Sequence, residues 1–164
     1  MADRQADRAG GGDRRAGGGV NGSIDRTTRL LGFAGLLPQA ALLVGLATGH
    51  DGLGVLHGMA FVYAALIFSF LGGIWWGWAV RRSSGQGALA GLAVAPTLVT
   101  ILLVGVALHG SLRWALVGLG SGLLLTLLVD RHLVATGEAP TGWMGLRVPL
   151  SVGLGVLTIL TGVV

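Results

Sequence analysis

From Leu30 onward the chain reads as five long apolar runs separated by short polar punctuation. The runs cover about 30–49, 58–80, 87–108, 113–129 and 147–164, and each is bounded by charge, Gly or His. Crossing a hydrocarbon core of about 30 Å takes roughly 20 predominantly apolar residues, the length these runs approach. Backbone groups in lipid must pair within their own segment, so a run of this length spans only as a helix. The pattern predicts an all-α integral membrane protein with five transmembrane helices. The fourth run is the shortest, and four spans with a re-entrant 113–129 segment is the alternative.

Residues 1–28 break the pattern. They are mostly Gly, Ala, Asp and Arg, with too little apolar surface to offset the entropy of ordering the chain. The domain reading is therefore a disordered Arg/Gly/Asp-rich cytoplasmic tail over 1–28 and a five-helix transmembrane domain over 29–164. Arg14-Arg15 does not make a twin-arginine export signal, because the apolar run begins only at Leu30. Asp3, Asp7, Asp13 and Asp25 argue against a mitochondrial transit peptide, which is poor in acids. A bacterial inner membrane is the expected location.

Composition agrees. The 164 residues are 52% hydrophobic and 11% charged, and mean hydropathy is +0.77, whereas a soluble domain carries about a quarter charged residues. The pI of 11.4 raises nucleic acid as a partner, but six of the eleven Arg lie within the first 29 residues, with no base-stacking aromatics among them. The expected partners are the lipid bilayer, through anionic headgroups, and other membrane proteins or a second copy of the chain. Absence of Cys excludes disulfides, thiolate metal sites, iron–sulfur clusters and covalently held c-type haem. No cofactor is predicted.

Arginine distribution sets the expected orientation, since cytoplasmic loops hold the excess positive charge. Ten Arg fall on the side of the tail, the Arg81-Arg82 loop and the loop flanked by Arg131 and Arg147, while Arg113 alone falls on the other. The N-terminus is expected inside and the C-terminus outside. Trp75, Trp76, Trp78 and Trp143 then gather near the cytoplasmic boundary, where amphipathic rings prefer to sit.

Candidate chemistry is sparse. In the second run Ala65, Ser69, Gly73 and Gly77 recur at four-residue spacing, a small-residue groove suited to helix packing. Pro38 and Pro96 lack an amide hydrogen and free the carbonyls of Ala34 and Leu92, predicting kinks in helices one and three. With Gln39, Ser69 and Thr97 they define a candidate mid-membrane polar site for a small molecule or ion, the other reading being hydrogen bonds between helices. No Asp, Glu, Lys or Arg falls well inside a span, which weighs against an ion-coupled pump. His50, Asp51, His57 and His109 map to the non-cytoplasmic face and are weak candidates for a metal site, without a compact ligand spacing. Asp130 and Arg147 could pair across the cytoplasmic loop, but an exposed pair is worth under about 1 kcal/mol, and topological anchoring is the role read for them.

The segments Leu31-Gly32-Phe33-Ala34-Gly35-Leu36-Leu37-Pro38, Ser69-Phe70-Leu71-Gly72-Gly73-Ile74-Trp75-Trp76-Gly77, Ala95-Pro96-Thr97 and Leu146-Arg147-Val148-Pro149-Leu150 resemble the domain of unknown function 3429 family of bacterial membrane proteins, related to a mitochondrial protein called transmembrane protein 69. The resemblance covers about residues 30–164. It implies a five-helix membrane protein without an assigned activity, and a His in the family pattern where this chain has Trp75. No catalytic residue is carried over. The leading expectation is a non-enzymatic helix-packing protein or accessory subunit. The alternatives are a small transporter or channel built on the polar layer and a membrane metalloenzyme built on the His cluster.

Overall fold

Pro38 decides the shape of the first apolar run. Its ring removes a backbone donor, and the helix breaks at Gly35 and Leu36 into α1 (Arg26–Ala34) and α2 (Leu37–Ala47), with Pro38 in the first turn of α2 where a missing N–H costs nothing. The Gly35 carbonyl exposed by the break accepts the Tyr63 hydroxyl. Pro96 and Pro149 instead lie within helices that run on through them, α4 (Gln86–Val106) and α6 (Trp143–Val163). The remaining helices are α3 (Val55–Ala79) and α5 (Leu112–Ala135). The computed structural model describes residues 25–49, 54–140 and 142–164, and every element among them is helical.

Four helical stretches among these residues are long and apolar enough to cross a membrane: 26–47, 55–79, 86–135 and 143–163. The third contains 50 residues, which would extend about 75 Å if straight. It is not straight. At Gly110 the backbone turns left-handed, with φ of 86°, a conformation that glycine adopts without a Cβ penalty. The chain then doubles back, so that Leu103 of α4 packs against Gly118 of α5.

The contacts fix the direction of each pass. Phe68 meets Gly122 and Trp75 meets Asp130, so α3 and α5 run the same way. Gly72 lies against Ala93, and Ser69 stands 3.5 Å from Thr100, so α4 runs opposite to α3. Gly155 faces Gly120 and Gly162 faces Arg113, so α6 runs opposite to α5. Leu36 against Gly153 sets α1 and α2 beside α6 in the same direction. The result is a bundle of five alternating passes, with α1 and α2 together forming the first. Ala60, Ala64, Phe68, Leu116, Leu119 and Leu123 build its main core, and a second cluster around Trp75, Ala79, Leu89 and Leu133 closes one end.

The exterior is inverted relative to a water-soluble protein: Leu66, Phe70, Leu98, Leu102 and Leu128 are all exposed. Among the described residues Arg26, Arg29, Arg81, Arg82, Arg131 and Arg147 gather at one end of the bundle, and Arg113 lies at the other with His57 and His109. Helix α1 starts at Arg26, ahead of the apolar run at Leu30, and α3 starts at Val55; two further boundary differences bear on the site. Helix α5 continues past Val129 to Ala135, and α6 begins at Trp143, before Arg147. Both extensions carry charge into the bundle, and the reason is a site that the two helices build together. The tail over 1–24, with His50 and Asp51, lies outside the described residues.

Candidate functional site

Asp130 stands near the end of α5 and Arg147 near the start of α6, each placed against the sign of its own helix dipole. Facing each other across the most extensive helix seam of the bundle, they satisfy one another. Arg147 Nε donates to Asp130 Oδ2 at 2.7 Å, and Arg147 Nη2 donates to Thr126 Oγ1 at 3.3 Å. The second carboxylate oxygen accepts two indoles, from Trp75 Nε1 at 3.0 Å and Trp143 Nε1 at 3.3 Å. Thr126 in turn donates to the Leu123 carbonyl at 2.6 Å. The Arg147 guanidinium also lies 5.8 Å from the centre of the Trp143 ring, within cation–π range. The Trp143 ring meets Trp78 edge to face at 5.1 Å.

This corrects the expectation of an exposed, weak ion pair. The Asp130 and Arg147 side chains are 0% and 7% exposed. A buried pair is tolerable only when hydrogen bonds occupy the remaining donors and acceptors, a condition the two indoles and Thr126 meet. Local spacing makes the arrangement possible. Thr126 and Asp130 stand one turn apart on α5, as do Trp143 and Arg147 on α6, so each helix presents two polar groups on one face. Close approach of the backbones does the rest: a Cβ at Gly120 would lie 2.6 Å from the Gly155 carbonyl oxygen. A carboxylate held by three donors is an anchor rather than a free base.

A crevice of about 340 Å³ opens beside this cluster, between α1, α3 and α6. Thr28, Trp143 and Arg147 border its polar end, and Ile67, Ser151 and Leu154 its deeper end. Ser151 is buried and its hydroxyl has no hydrogen-bond partner. At the same end of the bundle a second ion pair ties the α3–α4 loop to the α5–α6 loop. Arg82 Nε donates to Glu138 Oε2 at 2.7 Å, a second guanidinium nitrogen pairs with the other oxygen, and Thr136 donates to Glu138 at 3.1 Å. The Arg82 hydrogen bond holds the Glu138 carboxyl below its ordinary range, and the same bond pushes the Arg82 guanidinium further up.

The residues singled out from the sequence distribute as follows. Ala65 is buried in the core and Ser69 lies on the α3–α4 seam, while Gly73 and Gly77 face outward with open space where a Cβ would be. Within the chain the close approach of α3 falls one residue earlier, at Gly72, where a Cβ would overlap the Ala93 carbonyl oxygen. Pro38 and Thr97 are on exposed faces, and Pro96 is buried against Gly72. Gln39 is fully buried with both amide atoms lacking a hydrogen-bond partner. His57 sits half-buried in the first turn of α3, and His109 is exposed, its Nδ1 2.7 Å from the Gly105 carbonyl. No group of three or more His, Cys, Asp or Glu comes together among the described residues. The Trp75 indole, the Thr126 hydroxyl and the crevice had no signal in the sequence beyond the spacing of Trp143 to Arg147.

Residues 24–163 match the profile of the family described as protein of unknown function (DUF3429), and the chain belongs to that family. No curated protein matches the chain. No solved structure matches it either.

Proposed function

We propose, with membership of a family of unassigned activity as the premise, that this chain is a five-span inner-membrane protein. It acts as a non-enzymatic, helix-packing accessory subunit. The 50-residue stretch over 86–135 contributes two spans, because a hydrocarbon core of about 30 Å holds only one arm of its hairpin at a time. The arginine-rich end is cytoplasmic by the positive-inside rule, which places the N-terminus inside and the C-terminus outside.

The observation that carries the accessory reading is an unused set of small residues. The seams within the chain are made by Gly72, Gly120, Gly155 and Gly162, whose added Cβ atoms would all meet neighbouring backbone. Gly73 and Gly77 lie on the outer face of α3 with nothing within 4 Å. In lipid, helix association depends on small residues that let backbones approach, so this face is suited to receive a helix from another chain. Gentle detergent extraction of the tagged protein at native level, followed by mass spectrometry, should recover a stoichiometric membrane partner that a Gly73→Leu/Gly77→Leu variant loses. Recovery of the wild-type protein alone would defeat this reading.

Gln39 favours a second reading, a small transporter or channel. A fully buried amide with no partner is costly in an apolar interior, and a transported solute would relieve it. Liposome flux that vanishes in Gln39→Leu would replace the accessory reading with this one.

A further inference from the structure

We propose that the crevice between α1, α3 and α6 is a binding site for a membrane-soluble quinone, whose ring carbonyl accepts a hydrogen bond from the Ser151 hydroxyl. The crevice is a route as well as a space. Its lining includes Leu31 on α1 and Phe70 on α3, which are 69% and 64% exposed. Helix α1 packs on α6, so the side between α1 and α3 faces the bilayer. An apolar molecule enters laterally. The volume of about 340 Å³ lies in the range of small-molecule sites.

Ser151 distinguishes this crevice from a gap filled by any lipid. Four other hydroxyls within the helices donate back to a carbonyl one turn earlier: Thr100 to Pro96, Ser121 to Val117, Thr158 to Leu154 and Thr161 to Leu157. Ser151 makes no such bond, and its Oγ is closed off from water. In this rotamer the Oγ does not open onto the crevice; a turn about χ1, among the staggered wells open to a serine, brings the hydroxyl to an acceptor seated there.

Depth selects the class of molecule, on the membrane placement proposed above. Ser151 lies eight residues beyond Trp143, about 12 Å further along the helix. With Trp143 at the interface, that depth is below the headgroup and ester groups of a phospholipid, where an acyl chain offers only methylenes. A polar ring attached to an apolar tail brings an acceptor there. Arg147 borders the same crevice one turn above Ser151, about 6 Å along the axis. Its guanidinium retains N–H groups beyond those given to Asp130 and Thr126. Seated at this depth, the ring lies between the Ser151 hydroxyl and the polar end of the crevice that Arg147 borders.

The test uses the full chain in nanodiscs of phosphatidylethanolamine and phosphatidylglycerol, equilibrated with decylubiquinone and washed. Quinone retained per protein is measured against empty nanodiscs. The wild type should retain a stoichiometric excess. Ser151→Ala should weaken retention about fivefold, the size of one lost hydrogen bond, and Leu150→Trp, which fills the crevice, should abolish it at an unchanged thermal midpoint. Retention at the empty-disc background, or equal retention in wild type and Ser151→Ala, would overturn the proposal. So would native mass spectra showing a phospholipid held equally by both. Failure to enter the nanodisc would instead refute the membrane placement, and with it the depth argument.

Discussion

At one end of the bundle a guanidinium and a carboxylate are drawn between helices and tied down by two indoles and a hydroxyl. At the other end Arg113 stays exposed and, among the described residues, reaches the Val164 carbonyl at 3.3 Å, while His109 turns back onto the Gly105 carbonyl of its own chain segment. Arg113 and Arg147 both lie toward the N-terminal ends of their helices, where a cation opposes the helix dipole. One is stabilised by water and the other by partners. The difference shows where charge in this fold is structural: an arginine that keeps its solvation can be lost cheaply, and an arginine that has surrendered it depends on every group that replaced water.

The sharpest way to break this comparison is to strand Arg147. Asp130→Ala leaves a buried cation without its partner and should cost about 3–5 kcal/mol, read as a loss of unfolding free energy in a single detergent. The double variant Asp130→Leu/Arg147→Met should recover part of that loss, because an apolar pair needs no desolvation, the remainder being the buried Trp75 indole left without its acceptor. Arg113→Ala should change stability by less than about 0.5 kcal/mol. Equal costs for Asp130→Ala and Arg113→Ala would mean that the two ends do not differ.

Trp75→Phe tests the next layer. It keeps an aromatic ring in the core and removes one hydrogen bond to a charged acceptor, an effect of about 1.5–3 kcal/mol. Trp143→Phe should cost less, since its bond to Asp130 is longer, at 3.3 Å against 3.0 Å, and its side chain is only half-buried. A reversed order would show that the ring stacking of Trp143 on Trp78 and Arg147, rather than the indole hydrogen bonds, holds the cluster.

Much of the architecture was legible because an apolar run of spanning length has only one way to pair its backbone. The α1–α2 break followed from Pro38 alone. The two boundary differences at the site share one cause. Asp130 and Arg147 each mark the edge of an apolar run, since a charge judged singly belongs in water. Their partners come from other helices, and no spacing within one run reveals them. The pair itself was visible; its burial was not, because that depends on Gly120 meeting Gly155. The same limit applies to α3, where four-residue spacing marked Gly73 and Gly77 but could not say which side of the helix the rest of the bundle occupies.

That ambiguity gives a smaller, cleaner contrast. Gly72→Ala pushes a methyl group into the Ala93 carbonyl oxygen and should force α3 and α4 apart, at about 1–3 kcal/mol. Gly73→Ala meets open space and, with alanine the better helix former, should be neutral or slightly stabilising. Thermal midpoints of the two variants, purified identically, decide it. If both destabilise equally, the face of α3 turned toward α4 is not the one described.

The loop ion pair shows the smallest effect and refines the comparison within the arginine-rich end. Arg82 and Glu138 join two loops at the same end of the bundle as Asp130 and Arg147, yet their side chains are 26% and 21% exposed, so water competes for both. The Glu138 carboxyl is held below its ordinary value by the Arg82 hydrogen bond first and the Thr136 bond after it. A carboxyl with a depressed folded-state pKa favours the fold above its unfolded pKa, and that stabilisation disappears as pH falls through the depressed value. Arg82 remains charged throughout this window. Wild type should therefore melt above Glu138→Gln at neutral pH, and the gap should close on acidification below the ordinary carboxylate range. A gap that persists in acid would mean that Glu138 acts through its packing, and that only the buried pair makes this end of the bundle electrostatically distinct.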